Sequence, residues 1–278
     1  DERETDYILG AESPTCIAPV SKEEFRKYLP KGELQFGKED FMDCVTRAVN
    51  NDLEAKLNKF TLLNPSNPFS IWLDLKGYGG VGKIELADRP IAILSGTTRN
   101  GNSLIAPLHA VHKFGIFPKK LLPSGDLTWD EYHDKEKLTE ELLNLGLESL
   151  NWLDITYWKT DLKETDDIAV TAGYAWPTPV NGIYPASDNQ MNHSFITVPL
   201  YEAFDNYLDD DFFKTLASDY KLMPGYRLVI QLKKLEPVKK NETIEPDYPK
   251  NSNWFTEIVR NLLVLIKEIW KKILNYSK

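Results

Sequence analysis

The stretch Phe41-Met42-Asp43-Cys44-Val45-Thr46-Arg47-Ala48 places a cysteine where a loop gives way to a helix. Residues 37–40 are a glycine and charged residues, typical of a loop. After Cys44, apolar residues recur every three or four positions, the period of one helical face. Those residues are Val45, Ala48, Val49, Leu53, Leu57 and Phe60. The pattern predicts a helix over about 44–60, whose first-turn N–H groups and dipole favour the nucleophilic thiolate of Cys44.

A histidine lies about 150 residues downstream of this cysteine. The segment Asn192-His193-Ser194-Phe195-Ile196-Thr197-Val198 puts His193 at the head of a β-rich run. An imidazole can take the proton of a thiol and return it to a leaving group. The two residues are therefore predicted to be a nucleophile and its base. Asp43 is a mild counter-argument, because a carboxylate close to Cys44 opposes thiolate formation.

Composition excludes several classes of protein. The chain has 278 residues, 42% hydrophobic and 12% aromatic, which is enough for a sizeable core. A net charge of −9 argues against nucleic acid as a partner. Two cysteines, Cys16 and Cys44, are not a disulfide framework, and we predict that both are free thiols. The first residues are too charged for a signal peptide. The sequence does not determine the location of the protein, and virion and cytoplasm are both open alternatives.

Helical patterns dominate the first half of the chain and strand patterns the second. Strands are predicted at 168–176, 193–201 and 226–232. This segregation indicates an α+β fold with a mainly antiparallel sheet in the C-terminal half. We divide the chain into an N-terminal extension (1–32), the main domain (33–232), a polar linker (233–253) and an amphipathic helix (254–278).

The C-terminal helix has one apolar face but also Arg260, Lys267, Lys271 and Lys272. These charges make it unsuitable for crossing a bilayer, and no other transmembrane segment is predicted. Docking on protein or self-association is favoured, because most amphipathic helices bury their apolar face on protein. A membrane surface is the third alternative.

Ordered blocks between Leu34 and Leu232 resemble a group of uncharacterised papain-like cysteine peptidases from tailed-phage and uncultured-bacterial genomes. The blocks that carry the resemblance are Phe41–Val45, Leu94–Thr98 with Gly101–Ser103, Leu127–Tyr132, Tyr174–Trp176, Asn192-His193, Phe204–Tyr207 and Gly225–Arg227. The resemblance implies a papain-like fold that cleaves peptide or isopeptide bonds of a polypeptide through a thioester acyl-enzyme. It implies no metal or organic cofactor.

A papain-like site also needs a group that orients the imidazole and donors for the oxyanion. Asp205 is predicted to orient His193, since a strand, a turn and a second strand fit between them. Asn206 is the competitor, because papain uses an amide there. Papain places a glutamine six residues before its cysteine, but that position is Lys38 here. Gln35 can serve instead if the loop bulges, with the N–H of Cys44 as second donor, although a surface glutamine is the simpler interpretation.

Two other functions compete with this prediction. One is a catalytically silent structural or virion-associated interaction protein. The acidic net charge, the C-terminal helix and the lysine at position 38 in place of papain's glutamine favour this alternative. The other is a peptidoglycan-cleaving enzyme with similar chemistry.

Two further motifs are judged structural. The segment 77–83 matches the phosphate-loop pattern G-x-x-x-x-G-K, and 71–75 could be the strand before it. Ile84 replaces the magnesium-binding Ser/Thr, however, and Pro90 is expected to break the following helix, so a glycine-rich turn is predicted. His109 and His112 lack a third ligand and are predicted to be a packed helix face.

Overall fold

The computed structural model describes residues 15–21, 24–163, 165–174, 176–187, 190–197, 202–207 and 212–233. These residues all belong to the first of two compact units, Asp1–Leu235. The second unit, Glu236–Lys278, lies outside the described residues. The predicted linker after Lys233 and the predicted C-terminal helix therefore stay predictions.

The described residues contain seven α-helices. They are α1 (Phe25–Tyr28), α2 (Cys44–Leu63), α3 (Pro68–Lys76), α4 (Asp88–Leu94), α5 (Ile105–Phe114), α6 (Trp129–Tyr132) and α7 (Glu140–Trp152). Several begin at the expected capping residues: Thr128 forms a capping box with Glu131, and Thr139 caps α7. Gly115 ends α5.

The strands form one mainly antiparallel sheet, so the fold is α+β. They are β1 (Thr15–Cys16), β2 (Leu153–Thr160), β3 (Ala169–Tyr174), β4 (Ile183–Tyr184), β5 (Met191–Thr197), β6 (Glu202–Phe204), β7 (Phe213–Leu216) and β8 (Gly225–Leu232). Their order is β1-β8-β3-β5-β6-β7-β4, and β2 pairs with β8 as well. The pairing of β4 with β7 is parallel, and the other pairings are antiparallel.

Helix α2 is the centre of the fold. Every residue from Val45 to Thr61 is buried, the charged ones included. Its apolar residues join a core that also includes the inner faces of α3, α5, β2 and β8. Most of its charged residues are paired: Arg47 lies 3.0 Å from Asp43, and Lys56 lies 2.6 Å from Asp52. Burial on all sides fixes the position of Cys44 at its start.

Two local expectations are corrected. Residues 71–75 lie in helix α3, which Asn67 caps and Gly77 ends in the left-handed conformation at φ 83°. Pro90 does not break a helix but lies in the first turn of α4, where proline costs no hydrogen bond. Within the predicted N-terminal extension (1–32), β1 pairs with β8 and Ile17 is buried in the core.

Candidate active site

One cleft of about 680 Å³ contains most of the predicted site residues. Gln35, Cys44 and His193 line it, together with Asp40 and Tyr207. These residues come from the loop before α2, from the first turn of α2, from β5 and from the segment after β6. The cleft thus joins the helical half of the chain to the sheet.

Cys44 is the first residue of α2. The first hydrogen bond of the helix runs from Arg47 N to the Asp43 carbonyl (3.0 Å), so the N–H of Cys44 has no partner within the helix. The Asp43 side chain does not cap the helix. It accepts hydrogen bonds from Arg47 Nε (3.0 Å) and from the Tyr132 hydroxyl. The guanidinium of Arg47 therefore compensates the charge that counted against a thiolate at Cys44.

His193 lies near the start of β5, and its ring is buried. Its Nε2 is 2.8 Å from Asp205 Oδ1, which leaves Nδ1 as the nitrogen available to Cys44. Asp205 directly follows β6, the strand that pairs with β5. The pairing of β5 with β6 thus brings His193 and Asp205 together.

The charge of His193 is set by its neighbours. Burial by itself lowers the pKa of His193, but the carboxylate of Asp205 and its hydrogen bond outweigh that effect. A hydrogen bond with Cys44 and the charge of Cys44 act in the same direction. Together they raise the pKa of His193 to about 10. The ring is therefore an imidazolium at neutral pH.

Asn206, the alternative orienting residue, is bonded elsewhere. Its Oδ1 accepts from Asn51 Nδ2 of α2, and its Nδ2 donates to the carbonyl of Glu33 at 2.6 Å. The carbonyl of Asn206 accepts from Gln35 N at 2.7 Å. Asn206 thus ties the loop that carries Gln35 to the segment that carries Asp205.

Gln35 is buried, with 3% of its surface exposed, and is not the surface glutamine of the simpler interpretation. It reaches the cleft because the chain between Gln35 and Cys44 loops outward. Phe36 pairs with Asp40, and the Gln35 carbonyl accepts from Phe41 N at 3.4 Å. The looped residues compensate for the greater separation of this glutamine from Cys44.

Sequence reasoning gave no role to three residues around the site. Trp176 Nε1 and Tyr207 N (3.3 Å) both donate to Asp205 Oδ2, the oxygen that His193 does not use. The Tyr207 ring lies 4.8 Å from the His193 ring, between centroids. Both residues stand in the blocks that carry the papain-like resemblance, which was the available signal. Asp40, the third, had no signal in the sequence.

The two motifs judged structural lie outside this cleft. Residues 77–83 connect α3 to the segment before α4, with Lys83 N bonded to the Gly80 carbonyl at 3.0 Å in a turn. His112 Nδ1 lies 2.7 Å from the Ile155 carbonyl, and His109 packs 5.6 Å from the Tyr157 ring. Among the described residues, no group of three acidic, histidine or cysteine side chains is placed to hold a metal ion.

Comparisons with known proteins give a distant likeness to a solved structure. A solved structure of xylellain, a cysteine protease from Xylella fastidiosa, is 12% identical in sequence with a TM-score of 0.42. The match covers 80% of this chain and 92% of that chain. A likeness this distant assigns neither a fold family nor an activity. No protein-family model matches the sequence, and no curated protein matches it.

Proposed function

We propose that this protein is a papain-like cysteine peptidase that cleaves peptide or isopeptide bonds of a polypeptide. Cys44 is the nucleophile, His193 the base and acid, and Asp205 the residue that orients the imidazole. The observation that carries the proposal is the buried His193–Asp205 pair, 2.8 Å apart, facing a cysteine at a helix start in one cleft.

In the first step of the proposed mechanism, the thiolate of Cys44 attacks the carbonyl carbon of the scissile bond. The carbonyl oxygen becomes an oxyanion, for which the N–H of Cys44 and the Gln35 amide are the proposed donors. The imidazolium of His193 then gives its proton to the leaving amine. The C–N bond breaks, and the acyl group remains on Cys44 as a thioester.

In the second step, water attacks the thioester. Neutral His193 accepts a proton from that water, and the product leaves as a carboxylic acid while the thiolate of Cys44 reforms. Asp205 stabilises the imidazolium in both steps and holds the ring through Nε2.

The shape and lining of the cleft support a polypeptide substrate. A second cavity of about 550 Å³ shares Lys159, Met223 and Pro224 with the first, so the two form a continuous surface. All three methionines of the chain, Met42, Met191 and Met223, line the first cavity. Thioether side chains adapt to ligands of different shape.

Selective alkylation of Cys44 tests the proposal. Iodoacetamide should modify Cys44 at pH 6 roughly tenfold or more faster than Cys16, an exposed thiol in the same chain. An ordinary thiol, with a pKa of about 8.5, is almost fully protonated at that pH. Cys44, at a helix start and beside His193, should be the more reactive of the two thiols. Peptide mapping by mass spectrometry gives both rates in one sample.

Two histidine variants serve as test and control. His193→Ala should remove the rate advantage of Cys44, while His109→Ala, at an exposed histidine outside the cleft, should keep it. Hydrolysis of a denatured, fluorophore-quenched protein should be lost in Cys44→Ala and kept in Cys16→Ser. Equal alkylation of the two cysteines from pH 5 to pH 8, with no hydrolysis, would favour the non-catalytic interaction protein.

A further inference from the structure

The loop between Gln35 and α2 is organised around one carboxylate. Asp40 Oδ1 accepts hydrogen bonds from Gln35 Nε2 at 2.6 Å and from Met42 N at 2.7 Å. Met42 is one of two non-glycine residues with positive φ among the described residues, at 56°. Asp40 thus binds both the side chain at the start of the loop and the unusual backbone turn just before Cys44.

This contact decides which way round the Gln35 amide lies. An ionised carboxylate only accepts hydrogen bonds, so the amide atom that faces Asp40 has to be nitrogen. Gln35 Oε1 is buried and makes no hydrogen bond with the described residues. The contact with Asp40 is therefore what distinguishes the two ends of the amide.

We propose that Asp40 is a positioning residue that keeps Gln35 turned so that it offers an N–H, and not its oxygen, to the oxyanion. The inference rests on the proposed function and adds a residue to its site. One N–H of Gln35 Nε2 is used by Asp40, and the second remains a donor. If the amide were reversed, its oxygen would face the negative charge of the oxyanion, and the repulsion would oppose catalysis.

A simpler role for Asp40 would be to hold the loop closed through Met42 N. Asp40→Asn separates the two roles. Both bonds go to Oδ1 of Asp40. By a small rotation, asparagine can keep its oxygen on Met42 N while its amide nitrogen, in the place of Oδ2, donates to Gln35 Oε1 and so allows the reversed orientation.

The experiment compares two kinds of reaction of Cys44, those that need an oxyanion donor and one that does not. In hydrolysis and in reversible capture of a peptide aldehyde, the carbonyl carbon becomes tetrahedral and carries an oxyanion. Alkylation by iodoacetamide forms no oxyanion. In Asp40→Asn we expect kcat to fall about ten- to a hundredfold with little change in KM, and aldehyde affinity to fall with it. The alkylation rate of Cys44 should stay at the wild-type value.

Two further variants make the result specific. Gln35→Ala should show the same loss, and adding Asp40→Asn to it should cause little further loss, because both act through one amide. Glu39→Gln is the matched control, since Glu39 lies on the same loop but contacts Trp129 N and Arg99. It should leave all three measurements unchanged.

The inference is overturned if Asp40→Asn equals wild type in hydrolysis and aldehyde capture. It is also overturned if the variant loses alkylation in parallel with hydrolysis, because Asp40 would then only hold the loop in place. A failure of the proposed function looks different: the wild-type protein itself would neither hydrolyse the protein substrate nor capture the aldehyde, and both proposals would fall.

Discussion

At the scale of single residues, the decisive contact is the one between His193 and Asp205. Neutral asparagine in place of Asp205 removes the charge that outweighs burial. In Asp205→Asn we therefore expect the pKa of His193 to fall from about 10 to its ordinary value of about 6.5 or below. NMR titration of the ring protons measures this shift. Hydrolysis should slow by roughly tenfold or more.

The same pair makes stability depend on pH. The folded-state pKa of His193 is raised, so its contribution to stability is complete below about pH 6.5 and is lost as pH rises through about 10. Asp205→Asn should flatten this part of the stability curve. Asn206→Ala is the control: it loses the bonds to Asn51 and to Glu33 but should leave the pKa of His193 unchanged. A shift with Asn206→Ala alone would move the orienting role to that residue.

At the scale of elements, α2 is fixed to the sheet by buried charges. Lys56 Nζ contacts Asp52 Oδ1 (2.6 Å), Asp167 Oδ2 (3.2 Å) and the carbonyl of Leu228 in β8 (2.8 Å). Lys56→Met should lower the free energy of unfolding by about 3–5 kcal/mol, because two buried carboxylates lose their shared cation. Urea unfolding at pH 7 measures the loss.

Asp52→Asn should instead raise the free energy of unfolding. Burial raises the pKa of Asp52 to about 7 despite Lys56, from an ordinary value near 3.8. The stability associated with protonated Asp52 is therefore present at about pH 4 and lost as pH rises to about 7. As pH rises across this range, the variant should become more stable relative to the wild type. Lys56 keeps its ion pair with Asp167 in the variant. A larger loss in Asp52→Asn than in Lys56→Met would contradict this account.

Helix α7 approaches α5 closely at a glycine. A Cβ at Gly146 would lie 2.5 Å from the Phe114 carbonyl oxygen and 2.4 Å from the Phe117 ring. Helix propensity alone favours alanine by about 1 kcal/mol. We nevertheless expect Gly146→Ala to destabilise the protein by about 1–3 kcal/mol through overpacking. Gly80→Ala, which meets nothing within 4 Å, is the control and should be neutral in thermal unfolding.

At the scale of the whole molecule, β8 is completed before the second unit begins. Lys233 N donates to the Trp152 carbonyl at 2.8 Å, and Lys233 Nζ donates to the Leu150 carbonyl at 2.6 Å. No helix among the described residues is long and apolar enough to cross a membrane. Deleting residues 236–278 should therefore leave the fold of the described domain intact, measured by circular dichroism, and keep the alkylation of Cys44.

The same deletion tests the predicted C-terminal helix. An apolar face about 20 residues long needs a partner surface, and we expect protein, so the deletion should change the mass or the solubility measured by light scattering. Unchanged mass and solubility, with liposome binding lost on deletion, would instead indicate a membrane-surface anchor.

Elements with strong periodicity could be predicted from the sequence alone. Helix α2 from Cys44 and strands β3, β5 and β8 follow from patterns within a few turns of chain. Helices α3 and α4 were not predicted, because their apolar runs are short and Pro90 suggested a break that a first helical turn does not suffer. Strand β2 was not predicted, although Ile155, Thr156, Tyr157 and Trp158 are residue types that favour strands.

The contacts within the site depend on tertiary packing. Chain order proposed Cys44 and His193 and favoured Asp205 over Asn206, although the two are adjacent and both are buried. The choice depends on which side chain β6 turns toward β5, and the structure gives Asp205. The contact of Asp40 with Gln35 depends on a turn whose backbone dihedrals no residue pattern specifies. Periodicity records which face of an element is buried, whereas contacts between distant segments arise only when the chain packs.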